Sequence, residues 1–205
     1  MKLPQGIWQI PGTTAHCYSL ELDGRIFLID AGMKSSAKKI IEYFHKNGKK
    51  PDVVLITHYH PDHVGGLSLV SKTFSPEIYV PDEEISVVTG NARITPAKSI
   101  LSRLVASMAR IEPVKDARPV SSLSVPGIIA VATHGHTPGS TSYFIEGNRA
   151  IFVGDAIIKK GSEITVNRPF TLDYREALIS KDKILTMKPS VILPGHGELI
   201  SFDGS

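Results

Sequence analysis

Histidines and aspartates in this chain are grouped at the ends of apolar segments, where loops often carry functional side chains. The densest group reads Thr57-His58-Tyr59-His60-Pro61-Asp62-His63 and follows an apolar run. Side chains two residues apart point to one side of an extended backbone, and a proline favours that conformation in the residue before it. His58 and His60 can therefore share one metal ion. Asp62 and His63, at the first turn of a following helix, can take a second ion beside it.

Four other segments place an aspartate or a histidine at an abrupt turn. They are Asp30 in Leu28-Ile29-Asp30-Ala31-Gly32, His136 in Gly135-His136-Thr137-Pro138-Gly139, Asp155 in Val153-Gly154-Asp155, and His196 in Pro194-Gly195-His196-Gly197. Imidazole and carboxylate ligands suit zinc, with iron and manganese as alternatives. Three or four protein ligands per ion leave positions open for water and substrate, which is typical of a catalytic site.

The elements that carry these groups occur twice in the same order. In the first half, the apolar run 26–29 leads to Asp30, a helical pattern follows, and the run 53–56 leads to the histidines. In the second half, the run 150–153 leads to Asp155, a helix signal begins at Asp173, and the run 191–193 leads to His196. This repeat predicts one α/β domain, an αββα sandwich of two pseudo-symmetric α/β units. Two mixed sheets would pack face to face with the helices outside, and the ligands would lie at strand ends.

The rest of the chain adds elements and narrows the class of protein. We expect strands over 77–80, 127–133 and 141–145, and a helix from Thr95-Pro96 to about Ile111. One cysteine excludes an intrachain disulfide, and the 205-residue composition is that of an ordinary globular protein. No signal peptide or membrane span is evident, so we expect a cytoplasmic protein with no membrane partner. The net charge of +3 includes no basic run longer than a lysine pair, which predicts no nucleic-acid binding.

Together, in this order and at these spacings, the five motifs resemble the motif set of the metallo-β-lactamase superfamily, over the chain from about residue 5 to its end. The resemblance implies a single metallo-β-lactamase-like domain, 1–205, with two metal ions, most simply zinc. It also implies that Asp30 supports the metal-binding loop without binding metal. The implied ligands are His58, His60 and His136 on one ion, Asp62, His63 and His196 on the other, and Asp155 as a bridge.

The resemblance further implies metal-assisted hydrolysis of a small ester, thioester or lactone by a hydroxide shared between the two ions. Asp62 is the expected catalytic group, because it could help to move a proton to the leaving group. The alternative is a persulfide dioxygenase with one iron, held by residues matching His58, His136 and Asp155. A β-lactamase, which commonly lacks the bridging Asp155, and a non-catalytic metal-binding protein are less favoured.

We expect a small-molecule substrate and leave open whether the chain forms a homodimer. The substrate is expected to contact the segments 81–112 and 157–170. The second segment holds Lys159, Lys160 and Arg168, each of which could bind a carboxylate or a phosphate.

Overall fold

The computed structural model describes residues 3–96 and 111–202 and has an α/β fold with mixed sheets and helices. By its internal contacts the chain divides into two units. Among the described residues, the first unit contains 3–93 and 111–122, and the second contains 94–96 and 123–202. No described helix has the length and apolar character needed to cross a membrane.

The first unit is built on a six-stranded mixed sheet in the order β1-β2-β3-β4-β5-β6. Strands β1 to β3 pair antiparallel, and β3 to β6 pair parallel. The strands are β1 (Ile7–Ile10), β2 (Cys17–Leu22), β3 (Arg25–Ile29), β4 (Val53–Leu55), β5 (Glu77–Val80) and β6 (Arg118–Pro119). The helices are α1 (Ala37–Lys46), α2 (Pro61–Val64), α3 (Leu67–Phe74) and α4 (Ile85–Val88).

The predicted helix after Asp62 is in fact two helices, α2 and α3, with Gly65 and Gly66 between them. A Cβ on Gly66 would lie 2.3 Å from the carbonyl oxygen of Ala31, so only glycine allows this close approach. The Gly66 amide donates to the Gly32 carbonyl, which ties the start of α3 to the loop after Asp30. The glycine pair thus brings the histidine segment and the Asp30 loop together.

The second unit contains a five-stranded mixed sheet in the order β13-β12-β9-β8-β7 and a small hairpin of β10 and β11. Strands β9 and β12 pair parallel, and the other neighbours pair antiparallel. The helix α5 (Tyr174–Thr186) packs its buried face into the unit's apolar core. The strands are β7 (Ile128–Ala132), β8 (Thr141–Ile145), β9 (Ala150–Gly154), β10 (Ile158–Lys160), β11 (Glu163–Thr165), β12 (Val191–Pro194) and β13 (Ile200–Ser201).

The repeat predicted from the sequence is present in each unit. Strands β3 and β4 are parallel neighbours joined through α1, and β9 and β12 are parallel neighbours joined through α5. An aspartate follows the first strand of each pair, and a histidine follows the second. The predicted α/β class is therefore confirmed. Most of the helix expected over 95–111 lies outside the described residues, and the single-domain assignment of 1–205 stays a prediction.

Candidate metal centre

In the first unit, the segment after β4 brings His58, His60 and His63 together. The side chains of His58 and His63 are buried, and their ring centroids lie 4.1 Å apart. The Nε2 atom of His58 lies 3.0 Å from Nδ1 of His60. Two nitrogens bound to one tetrahedral zinc ion at 2.0–2.1 Å would be separated by about 3.3 Å. The His58–His60 pair therefore fits a shared metal ion with only a small adjustment.

The backbone at His60 explains why these side chains converge. His60 has φ −62° and ψ 145°, the extended conformation that the following proline favours, and Pro61 is the first residue of α2. Asp62 and His63 lie in the same short helix, with 3.9 Å between Oδ2 of Asp62 and Nε2 of His63. That distance exceeds a hydrogen bond but fits a carboxylate and an imidazole on opposite sides of one cation.

Asp30 holds the histidine segment in place through three contacts. Its Oδ1 accepts a hydrogen bond from the Thr57 amide at 2.8 Å, and its Oδ2 accepts one from the Thr57 hydroxyl at 2.8 Å. Oδ2 also accepts from Nδ1 of His63 at 2.7 Å. Because the Nδ1–H of His63 points at this carboxylate, Nε2 carries the lone pair available to a metal. The geometry agrees with a positioning role for Asp30.

In the second unit, Asp155 lies between two histidines from different loops. Its Oδ2 atom is 3.7 Å from Nε2 of His136 and 3.6 Å from Nε2 of His196. Both distances are too long for hydrogen bonds, yet they are close to the spacing of ligands around one cation. Asp155 and His136 are buried, whereas the His196 side chain is 36% exposed.

The loop that carries His136 is held rigidly against α5. Gly135 has φ +117°, and a Cβ at this position would lie 2.2 Å from the backbone nitrogen of Ala177. The carbonyl of His134 accepts a hydrogen bond from the Ser180 hydroxyl at 2.7 Å. His134 therefore anchors the loop through its backbone, in keeping with its position outside the predicted ligand set.

Each of the seven predicted ligands lies on a loop or short helix at the end of a strand. Within each unit, imidazole and carboxylate groups approach closely enough to hold a metal ion. The assignment of the seven residues to two particular ions stays a prediction. The His136 loop also contains a hydroxyl network, in which Thr133 contacts Ser142 at 2.8 Å and Thr137 contacts Ser140 at 2.6 Å. Thr137 flanks a ligand in the sequence, but its partner Ser140 and the Thr133–Ser142 pair were not predicted. The signal for this network was the frequency of Ser and Thr around that turn.

Comparison with known proteins gives the same classification as the motifs. A family model described as the metallo-beta-lactamase superfamily matches residues 10–196. The chain belongs to the metallo-β-lactamase superfamily. Among its relatives is a "probable metallo-hydrolase", YflN of Bacillus subtilis strain 168. It is 28% identical over 94% of this chain and 84% of its own length.

Two solved structures share the fold across nearly the whole chain. One is that of the BLEG-1 B3 metallo-beta-lactamase, with a TM-score of 0.74, 26% identity, and coverage of 95% of this chain and 93% of that one. The other is that of TTHA1623 in a di-iron-bound form, with a TM-score of 0.74, 22% identity and the same coverage. The family model establishes the superfamily and the solved structures establish the fold, whereas the substrate and the metal are not established by either comparison.

Proposed function

We propose that this chain is a hydrolase with two metal ions that cleaves a small ester, thioester or lactone. The observation that carries the proposal is Asp155, one carboxylate oxygen of which lies nearly equidistant from two imidazoles. A carboxylate in that position can contact two cations at once. We propose that the two ions are most simply zinc, with iron or manganese as alternatives.

Bound there, the ions would supply a water molecule of lowered pKa and a positive charge to stabilise the oxyanion of the attacked carbonyl. His58, His60 and His136 would hold one ion, and Asp62, His63 and His196 would hold the other. Asp155 would contact both. Asp30 keeps the Nε2 lone pair of His63 directed away from its own carboxylate.

We assign the proton-transfer role to Asp62 rather than to Asp155. The Asp62 side chain is 30% exposed, whereas that of Asp155 is 8% exposed. A solvent-exposed carboxylate that binds one cation keeps an oxygen that can receive a proton and pass it to a leaving group, whereas a buried carboxylate that contacts two cations keeps none in contact with solvent. Asp62 would therefore be both a ligand and the catalytic acid-base group.

Hydrolysis of a β-lactam is the second candidate, because the similar BLEG-1 protein is a B3 metallo-beta-lactamase. A β-lactam is a cyclic amide, so the same nucleophile could attack it. Because β-lactamases commonly lack a bridging aspartate, the proposed role of Asp155 favours an ester, thioester or lactone as the substrate over a β-lactam. We also propose a small molecule, rather than a nucleic acid or a membrane, as the binding partner, and the cytoplasm as the location.

The first test measures metal content and activity on the same preparation, purified without an affinity tag or a chelator. We expect about two equivalents of metal per chain and turnover of thioesters or lactones. Turnover of a β-lactam alone would favour the second candidate. One equivalent of iron, with oxygen consumption on a persulfide and no hydrolysis, would overturn the proposal in favour of a dioxygenase.

Single variants then test the ligand assignment. His58→Ala and Asp155→Ala should each lose metal and activity together, because each removes a proposed ligand. The matched control is His134→Ala, which removes a nearby imidazole but keeps the backbone carbonyl that accepts from Ser180. This variant should keep most of its metal and most of its activity. Full metal content in Asp155→Ala would refute the bridging assignment.

A further inference from the structure

The second unit contains a cleft of about 500 Å³ beside the start of α5. Its lining includes the two cations Arg168 and Arg175, the ring of Tyr174 and the carboxylate of Asp173. Of the three cations expected to bind an anion, only Arg168 lines this cleft. Lys159 instead pairs with Glu198 at 3.1 Å.

The two arginines bring positive charge to the cleft. In the part of the chain that the structure describes, neither guanidinium forms a salt bridge. Arg168 is held over the ring of Tyr174, with 5.0 Å between its Cζ atom and the ring centroid. Stacking of this kind fixes the plane of a guanidinium and leaves its N–H edges available to bind an oxyanion.

The acidic group in the cleft is already engaged by backbone donors. Oδ1 of Asp173 accepts hydrogen bonds from the amides of Arg175 and Glu176, at 2.9 and 3.1 Å, and so caps α5. Its charge offsets one of the two guanidinium charges, and the cleft keeps a positive balance. The positive end of the helix dipole adds to that balance within the first turn.

The cleft is joined directly to the loop that carries a proposed metal ligand. The amide of Leu172 donates to the carbonyl of His136 at 3.2 Å, and the amide of Asp173 donates to the carbonyl of Gly135 at 2.9 Å. Both donors belong to residues that line the cleft. A ligand in the cleft therefore lies beside residues whose backbone is hydrogen-bonded to the loop that carries His136.

We propose that Arg168 and Arg175 bind an oxyanion of the substrate, a carboxylate or a phosphate, and so select acidic thioesters or esters. This inference rests on the proposed hydrolase function. It makes the two arginines specificity-determining residues that act on substrate binding. Guanidinium groups suit both anions, because their N–H donors match two oxygens at once.

The test compares substrates that differ only in charge. One pair is S-acetyl-3-mercaptopropionate and its amide, and a second pair is S-adipoyl-N-acetylcysteamine and the amide of its free carboxylate. S-acetyl-2-mercaptoethyl phosphate and its neutral dimethyl ester test phosphate as the anion. We expect at least one anionic substrate to have a kcat/KM about tenfold above that of its neutral counterpart, mainly through KM.

Arg168→Gln and Arg175→Gln should each remove most of that preference, so that kcat/KM for the anionic substrate falls towards that of its neutral counterpart. Lys181→Gln is the matched control, because it removes one positive charge from α5, the helix that carries Arg175, at a position that does not line the cleft. The proposal would be overturned if each anionic substrate, the phosphate included, had the same kcat/KM as its neutral counterpart. A preference that survives in the double variant would also overturn it.

A binding measurement separates this proposal from the hydrolase function. Adipate and inorganic phosphate are titrated into the metal-loaded protein and followed by NMR, with the wild type, both arginine variants and Lys181→Gln. Binding that weakens only in the arginine variants supports the cleft even if no thioester is hydrolysed. Hydrolysis combined with arginine-independent binding of both anions keeps the hydrolase and rejects the cleft.

Discussion

Substitution of Asp30 by asparagine tests how this carboxylate organises the histidine segment. Asparagine has nearly the same shape and tolerates the left-handed backbone at this position, where φ is +59°. Its amide oxygen can still accept a hydrogen bond from the Thr57 amide. Its NH₂ group, however, cannot accept the Nδ1–H of His63, and the Thr57 hydroxyl must reorient to accept from it.

The size of the effect follows from the contacts that change. Asp30 is 2% exposed and His63 is fully buried, so solvent does not replace the lost bond. A hydrogen bond to a charged group contributes about 1.5–3 kcal/mol, and reorientation of the Thr57 hydroxyl adds a smaller cost. We expect the metal-free variant to lose about 2–3 kcal/mol of unfolding free energy. Metal affinity should fall about 10–100-fold, because His63 can then place its proton on Nε2.

Two assays check this prediction, namely urea unfolding of chelated protein and zinc affinity by competition with a chromophoric chelator. The matched control is Asp52→Asn, in the same unit, where Oδ2 accepts a hydrogen bond from the Ile26 amide at 2.8 Å. Asp52 is only half-buried, so this control should lose about 1 kcal/mol or less and keep its metal affinity. An Asp30→Asn protein with unchanged zinc affinity would refute the positioning role, whatever its stability.

Two further substitutions test other features of the fold. Gly135→Ala should lose more than about 3 kcal/mol of unfolding free energy in thermal or urea melts, because its Cβ would meet the backbone of Ala177 in a strained conformation. Gly147→Ala, whose Cβ has open space, should change stability little, and equal losses in the two variants would contradict this reasoning. Burial raises the pKa of the Cys17 thiol and of the Tyr18 phenol, so both keep their protons in the fold and lose them on unfolding at high pH. The free energy of unfolding should therefore decline above about pH 9, by up to about 1.4 kcal/mol per pH unit for each group. In Cys17→Ala the urea midpoint should fall less steeply with pH than in the wild type. Parallel curves for the two proteins would exclude a contribution from the thiol.

The strands and helices that carry the candidate ligands could be predicted because their signals are local. The strand over 77–80 was predicted with the bounds that the structure gives, and the helix after Asp173 begins at the predicted cap. The break between α2 and α3 could not be foreseen from the pattern after Asp62. It depends on contact of Gly66 with Ala31, thirty-five positions away, and a helical periodicity does not record such a contact.

The cleft that we propose to bind an anion shows a second limit of prediction from sequence. Lys159, Lys160 and Arg168 are equivalent candidates in the sequence, because each is a cation in one segment. The structure distinguishes them by their neighbours, since Lys159 pairs with Glu198 and Arg168 stacks on Tyr174. No sequence pattern predicted a binding role for Arg175, which becomes a candidate only because it lines the same cleft as Arg168.

The two halves of the chain use one topological position for two different tasks. Asp30 and Asp155 each follow the first strand of a parallel pair, so the sequence pattern makes them equivalent. Asp30 accepts three hydrogen bonds at 2.7–2.8 Å, from the amide and hydroxyl of Thr57 and from His63, and these contacts suit a residue that orients the histidine segment. Asp155 lies 3.6–3.7 Å from its two imidazoles, a separation suited to cations between the groups. The distances to the neighbouring nitrogens, which no strand pattern encodes, therefore distinguish the residue that orients a histidine from the residue proposed to bridge two metals.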